Sequence, residues 1–368
     1  MIAPVQVVAM RPTLSLDVRP NRRRIPFATL ALSIAAGVLA PSGASADEFG
    51  SGTNAFTMDF VSIGDAGNAP DLSDGRPQGS GAVAYQYRMG TYEVSRTMVD
   101  RANALGGLNI QVVGAGVNRP AAAINWNEAA RFVNWLNENA GFRHAYKFRY
   151  QPSDTANYSA NANILLWGPG DPGYDSNNPY RNTNAAYFLP NVNEWFKSAY
   201  YKGGGLNSGY WVYPTQSDSP PVAVVSGTSA GTAVYDSSFG AVNVDRSGGL
   251  SWYGTMGQGG NVYEWNEDAI DGVNDDPALQ RVLRGGSFGN RDDALRYSSY
   301  GSVSPQDGFG DMGFRVASIA AVPEPSTYAM ALAGLACGGW QMVRRRWAKA
   351  SLTQPDAAAQ SPATPAWR

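Results

Sequence analysis

The sequence predicts a loop-rich globule of capped helices and short strands, held by aromatic packing rather than built as a helical bundle. Three observations carry that expectation. Only 16% of the 368 residues are charged, while 42 are glycine, 19 tyrosine and 10 tryptophan. Two Asn-x-x-Glu pairs, Asn125/Glu128 and Asn191/Glu194, each head an apolar run with helical spacing, the pattern of a capping box. Around them lie stretches rich in Gly, Pro, Asn and Ser, which mark turns and loops.

Charge is segregated along the chain. Residues 1–46 hold five Arg and one Asp, and residues 344–368 hold four Arg, one Lys and one Asp. Without them, the totals of 28 basic and 30 acidic residues fall to 18 and 28, so residues 47–343 carry a net charge of −10. Nucleic-acid binding needs Lys and Arg to neutralise phosphates, and no basic stripe is present. The single cysteine, Cys337, and single histidine, His144, exclude an intramolecular disulfide and a Cys/His zinc cluster. A Ser-His-Asp triad would have to use His144, which sits in an Arg-rich run and reads as a partly exposed surface residue.

The N-terminus reads as an export signal over residues 1–46. Arg22-Arg23-Arg24 is a positive n-region, Ile25 to Leu39 an apolar run short for a bilayer, and Ala44-Ser45-Ala46 an A-x-A cleavage site. Phe56 to Val61 is then strand-like, Gly64 to Gly81 a loop, and Tyr85 to Val94 alternates as a hairpin strand. Ser95 caps a helix ending near Leu105, with Gly106-Gly107 as its stop. Asn125 caps a second helix whose Ala129, Phe132, Trp135 and Leu136 share a face, with Gly141 beyond its end.

Residues 150–187, with four prolines and many asparagines, read as an insertion or long loop. Asn191 opens a third helix with Trp195 and Ala199 on its buried face, and residues 204–256 are again loop-rich. The stretch Gly257–Trp265, Gly-Gln-Gly-Gly-Asn-Val-Tyr-Glu-Trp, folds sharply at its glycines and presents Asn261 and Glu264, with Tyr263 and Trp265 packed on the other side. Val282-Leu283 is a short strand stopped by Gly285-Gly286, which leaves Arg284 available to a carboxylate. Near the C-terminus, Val322-Pro323-Glu324-Pro325-Ser326-Thr327 precedes an apolar run from Tyr328 to Val343 and then Arg344-Arg345-Arg346. That run is just long enough to span a bilayer, with the arginines at the cytoplasmic end.

These motifs, in order, resemble the formylglycine-generating enzyme (sulfatase-modifying factor) family. Gly260–Trp265 is similar to its G-N-V-W-E-W, Arg281–Phe288 to its R-V-L-R-G-G-S-W, and Gly313-Phe314-Arg315-Val316 to its closing G-F-R-V. Tyr85–Val94, the helix from Asn125 and Leu189–Ala199 also match family motifs. The resemblance implies an α+β, loop-rich, C-type-lectin-like fold in a single domain over residues 47–320. Residues 321–346 resemble a PEP-CTERM sorting signal of Gram-negative bacteria, with its transmembrane segment at 328–343 and a polar tail at 347–368. That second resemblance implies an exosortase-type sorting partner and a place in the cell envelope or extracellular matrix.

The family's oxidases activate oxygen on copper held by two cysteines that follow the G-G-S-W motif. Here Asn290 and Leu295 occupy those positions, and neither supplies the soft sulfur that Cu(I) needs. Catalysis by that route, and copper, are therefore not expected; one histidine likewise excludes the related iron-dependent sulfoxide synthases. The family's calcium ligands imply Asn261 and Glu264 as a candidate calcium site, since both offer hard oxygens. Glu264 equally suits a buried ion pair with Arg284 or Arg315. The expected role is binding or structural work at the cell surface, with exopolysaccharide or another glycan as ligand. The alternative is a formylglycine-generating-type oxidase acting on protein cysteines.

Overall fold

A computed structural model describes residues 45–73, 79–114, 116–150 and 162–319. The expected sorting signal with its apolar segment, Cys337 and nearly all of the expected export signal lie outside them. Within them two larger sheets, a two-stranded one and three α-helices form one domain, and no helix is long and apolar enough to cross a membrane.

The first sheet is antiparallel, in the order β1 (Ser45–Phe49), β2 (Phe56–Ile63), β3 (Tyr87–Gly90), β11 (Ala317–Ile319) and β4 (Tyr187–Phe188). Ser45 and Ala46, at the expected cleavage site, pair with Phe60 and Asp59. One residue later, Asp47 reaches over β2 to Arg88, with Oδ1 and Oδ2 accepting from Nη1 and Nη2 at 2.8 and 2.7 Å. The Tyr187 hydroxyl joins the same carboxylate at 2.7 Å. The hairpin strand expected over Tyr85–Val94 is shorter. Gly90 N turns away to Val316 O and Thr91 N to Asp59 O, which ends β3 at Gly90.

The helices start and stop where the sequence places them, because their signals are local. α1 (Arg96–Gly106) is capped by Ser95 and closed by Gly107 in the left-handed region. α2 (Trp126–Asn139) and α3 (Val192–Tyr200) each carry a complete capping box. α2 differs from an ordinary amphipathic helix, since every residue from Trp126 to Asn137 is buried. Its asparagines are accommodated by bonding to distant backbone. Asn134 brackets Tyr146 through both its N–H and its carbonyl, and Asn137 does the same for Tyr187. Around α2 the core is aromatic: Phe56 stacks on Trp135 at 5.9 Å, and Phe132 meets Phe314 edge-on at 5.5 Å.

The second sheet runs β10 (Met312–Gly313), β7 (Tyr263–Ala269), β8 (Arg281–Arg284) and β9 (Gly301–Val303), with only β10–β7 parallel. A bulge shifts the β7–β8 register between Trp265 and Ala269. Residues 204–256 are mostly loops, as expected, with the two-residue parallel pair β5 (Val222–Ala223) and β6 (Thr232–Ala233) and a 3-10 turn at Val244–Arg246.

Candidate functional site

Four buried polar side chains, Glu93, Asn261, Glu264 and Arg315, gather in one strip around the turn leading into β7. Gly260 adopts φ +91°, and a Cβ there would stand 2.2 Å from the carbonyl oxygen of Val234, so only glycine fits. Asn261 follows at φ +58°, a conformation asparagine tolerates. Its backbone N–H donates to Val234 O at 2.8 Å, its Oδ1 accepts from Val242 N at 2.8 Å, and its Nδ2 donates to Glu93 Oε1 at 2.9 Å. Glu264, on β7, accepts from Arg315 Nε at 2.6 Å and from Arg315 Nη2 at 2.5 Å, while Trp195 Nε1 donates to its Oε2 at 2.6 Å. Arg315 spends its remaining donors on the carbonyls of Gly90, Thr91 and Met256. None of these four side chains reaches solvent to any extent.

Asn261 and Glu264 are thus near neighbours in sequence that face different partners. The oxygen Asn261 could offer is taken by an amide, and the Glu264 carboxylate lies in a bidentate grip with a fully buried guanidinium. A dication beside that cation would be repelled, so this arrangement does not fit calcium. No group of three or more His, Cys, Asp or Glu at metal-holding spacing occurs among the described residues. Of the two ion pairs open to Glu264 in the sequence, the one formed is with Arg315. Arg284 instead donates to the carbonyls of Tyr297 and Ser299 and lies over the Phe196 ring at 5.2 Å.

Glu93 is the residue of this strip that sequence reasoning missed. Burial, and then the negative charge of Glu264, pushes its carboxyl up to about 8, against an opposing pull from Arg315. Its Oε2 is buried with no hydrogen-bond partner among the described residues.

Asn290 and Leu295, the positions expected to match the family's cysteines, have structural duties here. Asn290 Oδ1 accepts from Ser287 N at 2.7 Å and lies 2.9 Å from Ser287 Oγ, tying the turn after β8; Asp311 Oδ2 holds the same hydroxyl at 2.9 Å. Leu295 is fully buried against Tyr213 and Ala233.

A second buried network was hidden in the stretch that reads as an insertion. Arg181 binds both Glu194, at the start of α3, and Glu267, on β7, with contacts of 2.6–2.9 Å. Tyr85 donates to Glu194 Oε1 at 2.6 Å, and Asn178 Nδ2 to Glu267 Oε2 at 2.8 Å. Burial raises the Glu267 carboxyl, and Arg181 opposes the shift. The available signal was charge scarcity: Arg181 is the only basic residue between Arg149 and Lys197. His144 is half-buried, with Nε2 3.6 Å from Glu138 Oε2.

Comparison with known proteins follows the same outline. No curated protein matches the chain. Among solved structures, it is similar to Treponema denticola variable protein 1 (20% identity, TM-score 0.49, covering 75% of this chain and 99% of that one). It is also similar to CarF (19%, 0.48, 72% and 98%) and to PvdO from Pseudomonas aeruginosa (16%, 0.44, 74% and 98%). The model of the sulfatase-modifying factor enzyme 1-like domain matches residues 74–320, well over half of the sequence. The chain therefore belongs to the sulfatase-modifying factor enzyme 1-like domain family.

Proposed function

We propose that this protein is exported to the cell surface or its exopolysaccharide, where its domain binds or supports rather than oxidises. The observation that carries this reading is the fate of the two cysteine positions. Asn290 ties a turn and Leu295 fills a core, so neither offers a thiolate for copper or for a disulfide intermediate. Export rests on the Arg-rich, apolar and A-x-A succession of residues 1–46. Cleavage after Ala46 keeps Asp47, and with it the ion pair to Arg88. Retention at the envelope rests on the sorting signal at 321–346, handled by an exosortase-type partner, with residues 328–343 in the membrane before processing. Calcium plays no part in this reading.

The test is aerobic incubation of the purified protein with a Cys-x-Pro-x-Arg peptide and copper, followed by mass spectrometry. Unchanged peptide mass is expected from folded protein. Conversion of the thiol to formylglycine would establish the oxidase alternative by a route that needs no enzyme cysteine at these positions.

A further inference from the structure

Away from the strip around Asn261, a cleft of about 440 Å³ opens beside the Arg181 network. Tyr85, Asp175, Asn177, Asn178, Arg181 and Asn191 are among its lining residues. Its volume falls in the usual range for small-molecule sites, roughly 300–1,000 Å³.

The chemistry of this lining is selective. Arg181 is its only cation, and the guanidinium donors already go to Glu194, Glu267 and the Leu189 carbonyl. One guanidinium faces two carboxylates, and Asp175 adds a third acid, so the cleft repels phosphate, sulfate and uronate groups. What it does offer is planar polar groups and one exposed flat ring, that of Tyr85, since the Phe188 ring is buried. Asp175 Oδ1 takes the Asn177 N–H at 2.9 Å, while its Oδ2 bonds to no other described residue. Asn178 is pinned between Glu267 and Asn274.

Tyr85 is 45% exposed, yet its hydroxyl is fixed to Glu194 and its ring meets Tyr87 edge-on at 6.2 Å. A rigid ring beside fixed amide and carboxylate groups loses little entropy on binding. It suits a ligand with an apolar C–H face and a rim of hydroxyls.

We infer that this cleft binds a sugar unit that is neutral or bears an amine, with Tyr85 against the ring face and Asp175 accepting hydroxyl or ammonium protons. The inference rests on the binding role proposed above and names its ligand class.

The test is calorimetric titration of the purified protein with oligomers of glucose, glucosamine and galacturonic acid. The first two are expected to bind and the third not. Tyr85→Ala is expected to weaken both by about tenfold, and Tyr85→Phe, which keeps the ring, to weaken them less. Asp175→Asn is expected to weaken glucosamine oligomers more than glucose oligomers, and as a half-buried position it gives a readout even if Tyr85→Ala fails to fold. The cleft assignment is overturned if neither glucose nor glucosamine oligomers titrate, if galacturonate binds as well, or if Tyr85→Ala and Asp175→Asn bind like the parent. Any of these without thiol turnover sinks the cleft alone, whereas formylglycine formation sinks the non-catalytic reading.

Discussion

At the scale of single residues, Glu93 makes the sharpest statement about this domain. It shares a dry strip with Glu264, whose charge is matched by Arg315, and so it has no cation of its own. A carboxyl raised from 4.5 to about 8 keeps its proton in the folded chain over a window where the unfolded chain has lost it. Its contribution is therefore full below about 4.5 and declines as pH rises toward 8. Urea unfolding of the parent and of Glu93→Gln should show this directly: the variant keeps the acceptor for Asn261 and loses the decline. An equal pH slope in both proteins would refute the assignment. Little of this was legible beforehand. The Asn261/Glu264 spacing suggests two ligands aimed at one point, but side chains three apart at a turn need not converge. Which arginine reaches Glu264 depends on strand β10 running beside β7, a contact from residues about fifty positions later.

Helices were the most legible elements, because caps and stops act over four or five neighbouring residues. Asn191 is the clearest case, with its Oδ1 accepting from Glu194 N at 2.8 Å and Glu194 Oε2 accepting from Asn191 N at 2.7 Å. Asn191→Ala should lower stability by about 1 kcal/mol, read as a shift of the urea midpoint at constant slope. A change within error would show that the box is redundant with the tertiary packing of α3. Strands were less legible than helices. Tyr85 and Gln86 continue the alternating pattern of β3 but find no strand partner, and Tyr85 is turned to the cleft instead. The burial of α2 on all sides was hidden too, since Asn134 and Asn137 look like a solvated face until their distant backbone partners are known.

Across the whole molecule, Arg181 joins a loop, the head of α3 and strand β7 in one ionic cluster. Arg181→Leu would strand two buried carboxylates, a defect worth about 3–5 kcal/mol for a broken buried pair. The loss should show in chemical denaturation and be larger at neutral pH than at pH 4, where the Glu267 carboxyl, raised by burial, can take a proton. Equal losses at the two pH values would mean that packing on Phe188, 3.8 Å from the guanidinium, matters more than charge. The overall fold class was readable from the order of motifs, whereas this cluster was not, because it joins elements that no local pattern relates. One further consequence belongs to the sheet order β1-β2-β3-β11-β4. The last described strand sits between β3 and β4, so a nascent chain holds an open slot in its main sheet until residues 317–319 have left the ribosome. Every shorter fragment lacks the piece that closes the sheet. Synthesis itself therefore delays completion of the fold.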